Sequence, residues 1–153
     1  MASKKIGKQT FALCNPPSIA GHANVVGPKE GDGPLKDSFD VISPDASFGE
    51  RSWEKAEVEM QKRALSAALE KAGQTMPVLD FLFAGDLCIS AGYAARSAGV
   101  PFFGLYGACS TMAESLSLAA MLLDGGFGEW GAAVTSSHFC SAERQYRTPL
   151  EYG

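Results

Sequence analysis

Cys109 is the residue of this chain best placed to do chemistry. It stands in Gly104-Leu-Tyr-Gly-Ala-Cys-Ser-Thr-Met112, where an apolar run ends and a helical pattern begins. A thiol at that junction faces the free backbone N–H groups and the positive end of a helix dipole, and both favour thiolate over thiol. The chemistry on offer is nucleophilic attack or the handling of an anion, set against the ordinary fate of a free cysteine as a small buried hydrophobe. Three further residues compete for the same site. Asp86 follows an apolar run and a glycine, and reads either as a rim carboxylate or as the N-cap of the next helix. His138 ends another apolar run, where an imidazole could orient a carboxylate or simply bond to backbone. Ser110 offers a hydroxyl and an N–H at the helix start, an anion site or a plain cap.

The elements that must position these residues alternate. Thr10–Cys14 reads as a short strand, and 15–49 is a Gly/Pro-rich segment with turn signals at Asn15-Pro-Pro17, Gly27-Pro28, Gly31-Asp-Gly-Pro34 and Ser43-Pro44, with a brief strand at Val41-Ile42. Ser47-x-x-Glu50 fits a capping box opening a long helix. Its stripe is Trp53, Ala56, Met60, Ala64, Ala68 and Ala72, widened by Leu65 and Leu69, with Glu54, Glu57, Lys62 and Arg63 elsewhere around it and Gly73 as the stop. The Ala-rich stripe predicts close packing against a sheet or another helix, and Trp53 and Met60 are expected in the core.

Val78–Ala84 reads as a strand buried on both faces, Ser90–Ala98 as a small-residue helix, Pro101–Tyr106 as a second buried strand, Ser110–Leu123 as a helix, and Trp130–Thr135 as a third strand. Such alternation predicts an α/β fold with a largely parallel sheet, whose ligands gather beyond the carboxyl ends of the strands. Gly85-Asp86, Ala108-Cys109-Ser110 and Ser136-Ser137-His138 are then expected to converge at one rim. Arg96, Arg144 and Arg147 could pair with a carboxylate, but the sequence does not place them at a pocket.

Bulk properties narrow the function classes. A chain of 153 residues with 46% hydrophobic and 20% charged residues suits one soluble domain. A net charge of −4 gives no footprint for nucleic acid or a polybasic membrane anchor. The four cysteines (Cys14, Cys88, Cys109 and Cys140) lie far apart, so neither zinc nor a disulfide framework is expected, nor any cofactor, and the thiols read as reduced and intracellular. The basic start, Met-Ala-Ser-Lys-Lys-Ile-Gly-Lys, lacks the apolar stretch of a signal peptide, and no run approaches the ~18 apolar residues of a membrane helix. Gly125-Gly126 is a turn, and no phosphate-loop motif is present.

Ala108-Cys-Ser110, the helix after it, Asp124-Gly-Gly126 and the Gly131-Ala-Ala-Val134 strand resemble the nucleophile half of the thiolase and ketoacyl-synthase superfamily. Within it, Asn15-Pro-Pro17, Gly27-Pro-Lys-Glu-Gly31, Ser47-Phe-Gly-Glu-Arg-Ser-Trp-Glu-Lys55, Phe83-Ala-Gly-Asp86 and Gly104–Met112 resemble the stage V sporulation protein AD family, over essentially the whole chain from about residue 6. The resemblance implies a thiolase-like α/β fold in which residues 1–153 form the N-terminal half of an αβαβα layered protein with a mostly parallel mixed sheet. The C-terminal half would lie outside this chain, and its absence should leave apolar surface exposed.

It also implies a forespore or spore protein, soluble or peripheral at the inner spore membrane. Such a protein would bind dipicolinic acid, or its calcium chelate, for uptake beside the membrane proteins of its operon, and would commonly be a homodimer. Cys109, Ser110, His138 and Asp86 are the expected ligand-binding residues, although the Asp86 carboxylate would repel a dianion unless protonated or bridged by calcium. Thiolases and ketoacyl synthases draw further catalytic partners from the second half, so binding is expected rather than turnover. The competing expectations are an acyltransferase in which Cys109 accepts the acyl group, and a scaffold for a spore membrane complex.

Overall fold

The structure, a computed structural model, describes residues 4–85, 99–138 and 140. At its centre three strands run parallel in the order β6-β5-β7: β5 is Phe81–Gly85, β6 is Phe102–Leu105 and β7 is Gly131–Thr135. All five residues of β5 are buried, which is what a central strand covered on both faces requires. Its side chains alternate between two cores. Leu82 and Ala84 pack with Leu65 and Leu69 of α2 (Trp53–Lys71), together with Val134. Phe81 and Phe83 pack with Ala119 of α3 (Thr111–Asp124) on the other face. The result is a helix on each side of a parallel sheet, the α/β architecture that the alternation of elements predicts.

Register decides where the site lies. Gly85 pairs with Leu105 on one side and Thr135 on the other, so the three strands end level. Everything emerging from those ends shares one rim. Gly85 is obligatory there, because a Cβ on it would stand 1.8 Å from the Leu105 carbonyl oxygen.

The helix α2 begins later than the sequence suggests. Ser52 is its N-cap, its hydroxyl accepting from the Lys55 N–H at 3.3 Å. Ser47 and Glu50 instead close a turn, with Ser47 held by the Asp45 carboxylate. The reason is local: Phe48 (φ 52°) and Gly49 (φ 80°) are left-handed, and no right-handed helix runs through them. Phe48 is buried and carries the Arg63 guanidinium over its ring at 5.5 Å.

The Gly/Pro-rich segment is more structured than a loop. Val25–Val26 (β3) and Val41–Ile42 (β4) pair in parallel, flanking a helical turn, α1 (Pro28–Gly31). The alanine stripe of α2 packs against this unit and not the main sheet: Ala56, Met60 and Ala64 meet Val25, Val41 and Phe48. Gly21 crosses so close to the end of α2 that a Cβ would lie 2.3 Å from the Ala68 carbonyl. Small residues on α2 are what permit that crossing.

The strand expected at 78–84 starts at Phe81, since Met76–Val78 is a 3-10 turn that holds Pro77. The first strand is a two-residue piece, β2 (Thr10–Phe11), paired antiparallel with β1 (Lys5–Ile6). This hairpin is tied to the far end of α3, where Asp124 accepts from the Lys4 ammonium and, at 2.6 Å, from the Asn15 N–H. Trp53 is not core: it is 38% exposed. Met112, Leu116 and Met121 on α3 are exposed, as are Phe103 and Tyr106 beside it. No described helix is long and apolar enough to cross a membrane.

Candidate functional site

Between β6 and α3 the chain makes one 3-10 turn, Ala108–Ser110, which carries Cys109 at its middle. Ala108 has φ 50°, a left-handed conformation that costs an L-residue about 1 kcal/mol. Gly107 before it is boxed in: a Cβ would lie 2.5 Å from the Ser110 Oγ and 2.7 Å from a Glu114 oxygen. The Ser110 hydroxyl donates back to the Gly107 carbonyl at 2.8 Å, and the Ser110 N–H reaches the same oxygen at 3.0 Å. Those bonds fasten the elbow and leave the Cys109 thiol exposed just ahead of the α3 N-terminus. Glu114 supplies a carboxylate to the first turn of the same helix, complementing its dipole.

The thiol opens into a cleft of about 410 Å³. The strand end Thr135-Ser136-Ser137 forms one wall, Ala108 and Met112 another, and Val25 and Met60 close the side nearest the β3–β4 unit. Two of the expected strand ends, those after β6 and β7, therefore meet. Asp86 follows the third and lies outside the described residues, as do the helix expected at 90–98, Cys88, Arg96, Arg144 and Arg147.

His138 goes elsewhere. It is buried, its ring sits 5.5 Å from that of Trp53, and its Nε2 donates to the Ala46 carbonyl at 2.9 Å. A carbonyl can only accept, so Nε2 carries the proton. The imidazole thus ties the end of β7 to the segment before α2, and Ser136 and Ser137 rather than His138 face the cleft.

A buried network that the sequence does not announce stands behind that wall. Ser136 donates its hydroxyl proton to Glu57 Oε1 at 2.7 Å and accepts from Gln61 Nε2 at 2.6 Å. Glu57 is wholly buried and Gln61 nearly so, whereas the helical pattern leaves Glu57 off the packed stripe. The partner lies 79 residues away in the chain. The only local signal is a glutamate and a glutamine four apart, a pair that shares one helix face.

The α/β layer, with its cysteine on a tight turn between a parallel strand and the next helix, has a thiolase-like fold. Two solved structures share the fold, each with a TM-score of 0.51. The 3-oxoacyl-[acyl-carrier-protein] synthase III from Aquifex aeolicus VF5 is 20% identical, over 56% of this chain and 31% of that one. The corresponding synthase III from Xanthomonas oryzae pv. oryzae KACC10331 is 23% identical, over 73% of this chain and 40% of that one. The family model for Stage V sporulation protein AD (SpoVAD) matches residues 7–153, and the chain belongs to that family. The Stage V sporulation protein AD of Bacillus subtilis (strain 168) is 42% identical over 153 residues, covering 98% of this chain and 45% of that protein. The chain thus spans less than half the length of this curated relative.

Proposed function

We propose that this chain carries the Cys109 half of a binding site for dipicolinic acid or its calcium chelate, used in loading the developing spore. The observation that carries the reading is the elbow: an exposed thiol just ahead of a 14-residue helix and the strand end Thr135-Ser136-Ser137 line one cleft. Its volume falls within the roughly 300–1,000 Å³ of small-ligand sites. Dipicolinate is a flat pyridine with a carboxylate on each side of the ring nitrogen. The hydroxyls of Thr135 and Ser137, which line the cleft, are donors suited to such carboxylates. Ser136 is spoken for, since its proton goes to Glu57. Membership of the sporulation family supports a setting in sporulation, and the reading places the chain, as a homodimer, beside membrane proteins of the same operon at the inner spore membrane.

Calorimetric titration tests the reading. Dipicolinate, with and without calcium, is expected to bind saturably, and Cys109→Ala to weaken it about tenfold, roughly 1.4 kcal/mol. An absence of heat with either ligand form, in this chain and in a full-length relative, would sink it. The exposure of Cys109 also suits an acyl acceptor, in which the thiolate attacks a thioester carbonyl and expels the carrier thiolate. That second reading predicts an acyl mass increase on Cys109 after incubation with acyl-coenzyme A, and an unmodified mass removes it.

A further inference from the structure

We propose that Met60 and Met112 determine the specificity of the Cys109 cleft, their thioethers gripping the planar ring of the bound dicarboxylate; this rests on the reading of the cleft as a dipicolinate site. The lining is divided by chemistry. Cys109, Thr135 and Ser137 bring polar groups from the elbow and the end of β7. Met60, Met112 and Val25 bring apolar ones from α2, α3 and β3.

Met60 is anchored on two sides. It packs against the cluster of Val25, Phe48 and Ala56, with Ala56 one turn before it on the same face of α2. The next residue, Gln61, bonds Ser136 at 2.6 Å and so ties this turn of α2 to the end of β7. Met112 differs. It is the second residue of α3, three after Cys109, and is 60% exposed. A large apolar side chain left in water beside an exposed thiol gains by covering a ligand.

Thioethers suit one kind of ligand surface. Methionine is unbranched, adapts to the shape it meets, and its polarisable sulfur contacts aromatic rings favourably. A ligand with a charged edge and a flat aromatic face satisfies both parts of the lining at once. A compact anion such as phosphate would leave the apolar part wet, and a saturated ring offers the sulfurs no π face. The ligand class is therefore an aromatic dicarboxylate, and its ring, rather than its charge, sets the choice among anions.

Dipicolinate is titrated by calorimetry into the parent chain and into Met60→Leu and Met112→Leu, which keep the side-chain volume and lose the sulfur. Each change should weaken binding about threefold, and the two together about tenfold, with the unfolding midpoint little altered. The compound cis-cyclohexane-1,3-dicarboxylate, with both carboxylates on a saturated ring, should bind about tenfold more weakly than dipicolinate and ignore both substitutions. Peroxide oxidation followed by mass spectrometry gives a second readout. Dipicolinate should slow sulfoxide formation at Met60 and Met112 severalfold and leave Met121, on α3 outside the cleft, unaffected. Full affinity in both leucine variants, equal affinity for the saturated ring, or unprotected methionines would overturn the assignment and leave the dipicolinate reading standing. No binding of dipicolinate to the parent would sink both.

Discussion

Replacing Ser136 with alanine strikes the wall of the Cys109 cleft without touching the thiol. The hydroxyl serves two buried side chains, donating to Glu57 at 2.7 Å and accepting from Gln61 at 2.6 Å. A neutral hydrogen bond contributes about 1 kcal/mol net, and one to a charged group about 1.5–3 kcal/mol. Alanine forfeits one of each and leaves a buried amide N–H without its acceptor, so the expected loss is about 3 kcal/mol. In urea, with a slope of about 2 kcal/mol per molar, the unfolding midpoint should fall by about 1.5 M. Ser137→Ala, at the exposed neighbouring position, is the control and should stay within about 0.5 kcal/mol of the parent. A shift below about 0.3 M for Ser136→Ala would refute the argument, because Glu57 and Gln61 would then be satisfied without it.

Two other outcomes follow from the rim, and a third from carboxylates at the opposite end of the sheet. Gly85→Ala forces a Cβ into the Leu105 backbone and should cost about 3 kcal/mol, read as a lower thermal midpoint; an unchanged midpoint would mean that β6 moves aside freely. Ala108→Gly relieves a left-handed alanine and should be neutral or stabilising by up to about 1 kcal/mol, whereas a clear loss in chemical denaturation would show that the turn is not strained. Stability should also fall in acid. Backbone N–H groups of Trp130 and Glu129 hold Asp80 below its ordinary value of 3.8, and Lys4 and Asn15 do the same for Asp124. A carboxylate with a depressed native pKa stabilises fully above its unfolded value, and that contribution is lost as pH falls through the native one. Tryptophan fluorescence should therefore report weakening below about pH 4, removed for the hairpin by Asp124→Asn and for the β5–β7 edge by Asp80→Asn.

The sheet was legible because its signals are local. Phe81–Gly85 is apolar at every position, as a strand covered on both faces must be, and β6 and β7 are short runs set off by Pro101 and Gly107 and by Gly131 and Ser136-Ser137. The elbow was legible for the same reason, since Gly107, Cys109 and the α3 pattern lie within one stretch of chain. What the sequence hides depends on distance. Glu57 looks like one more surface charge on α2 until Ser136 arrives from 79 residues away to bury it. The alanine stripe predicts a close neighbour correctly but not which one, because β3 and β4 are two residues each and carry almost no periodic signal. His138 stands at the right strand end, yet Ala46 and Trp53, both remote in sequence, turn it away from Cys109.

Departures from what stability alone favours gather at one place in this molecule. Ala108 is held left-handed, Gly85 is a bare strand residue, and a carboxylate lies fully buried behind Ser136. Each lies at, or immediately behind, the level row where Gly85, Leu105 and Thr135 end. The remainder of the sheet follows the simple rules, with apolar side chains alternating between two cores. Local conflicts that accumulate at a rim are characteristic of a site shaped for a ligand, because strain persists where the surrounding packing over-determines it. The devices also divide the labour. Gly85 lets β6 approach, the Ala108 turn aims the thiol, and the Glu57–Ser136–Gln61 network fixes the opposite wall, so the geometry of the cleft depends in part on Gly85, Glu57 and Gln61, which do not line it.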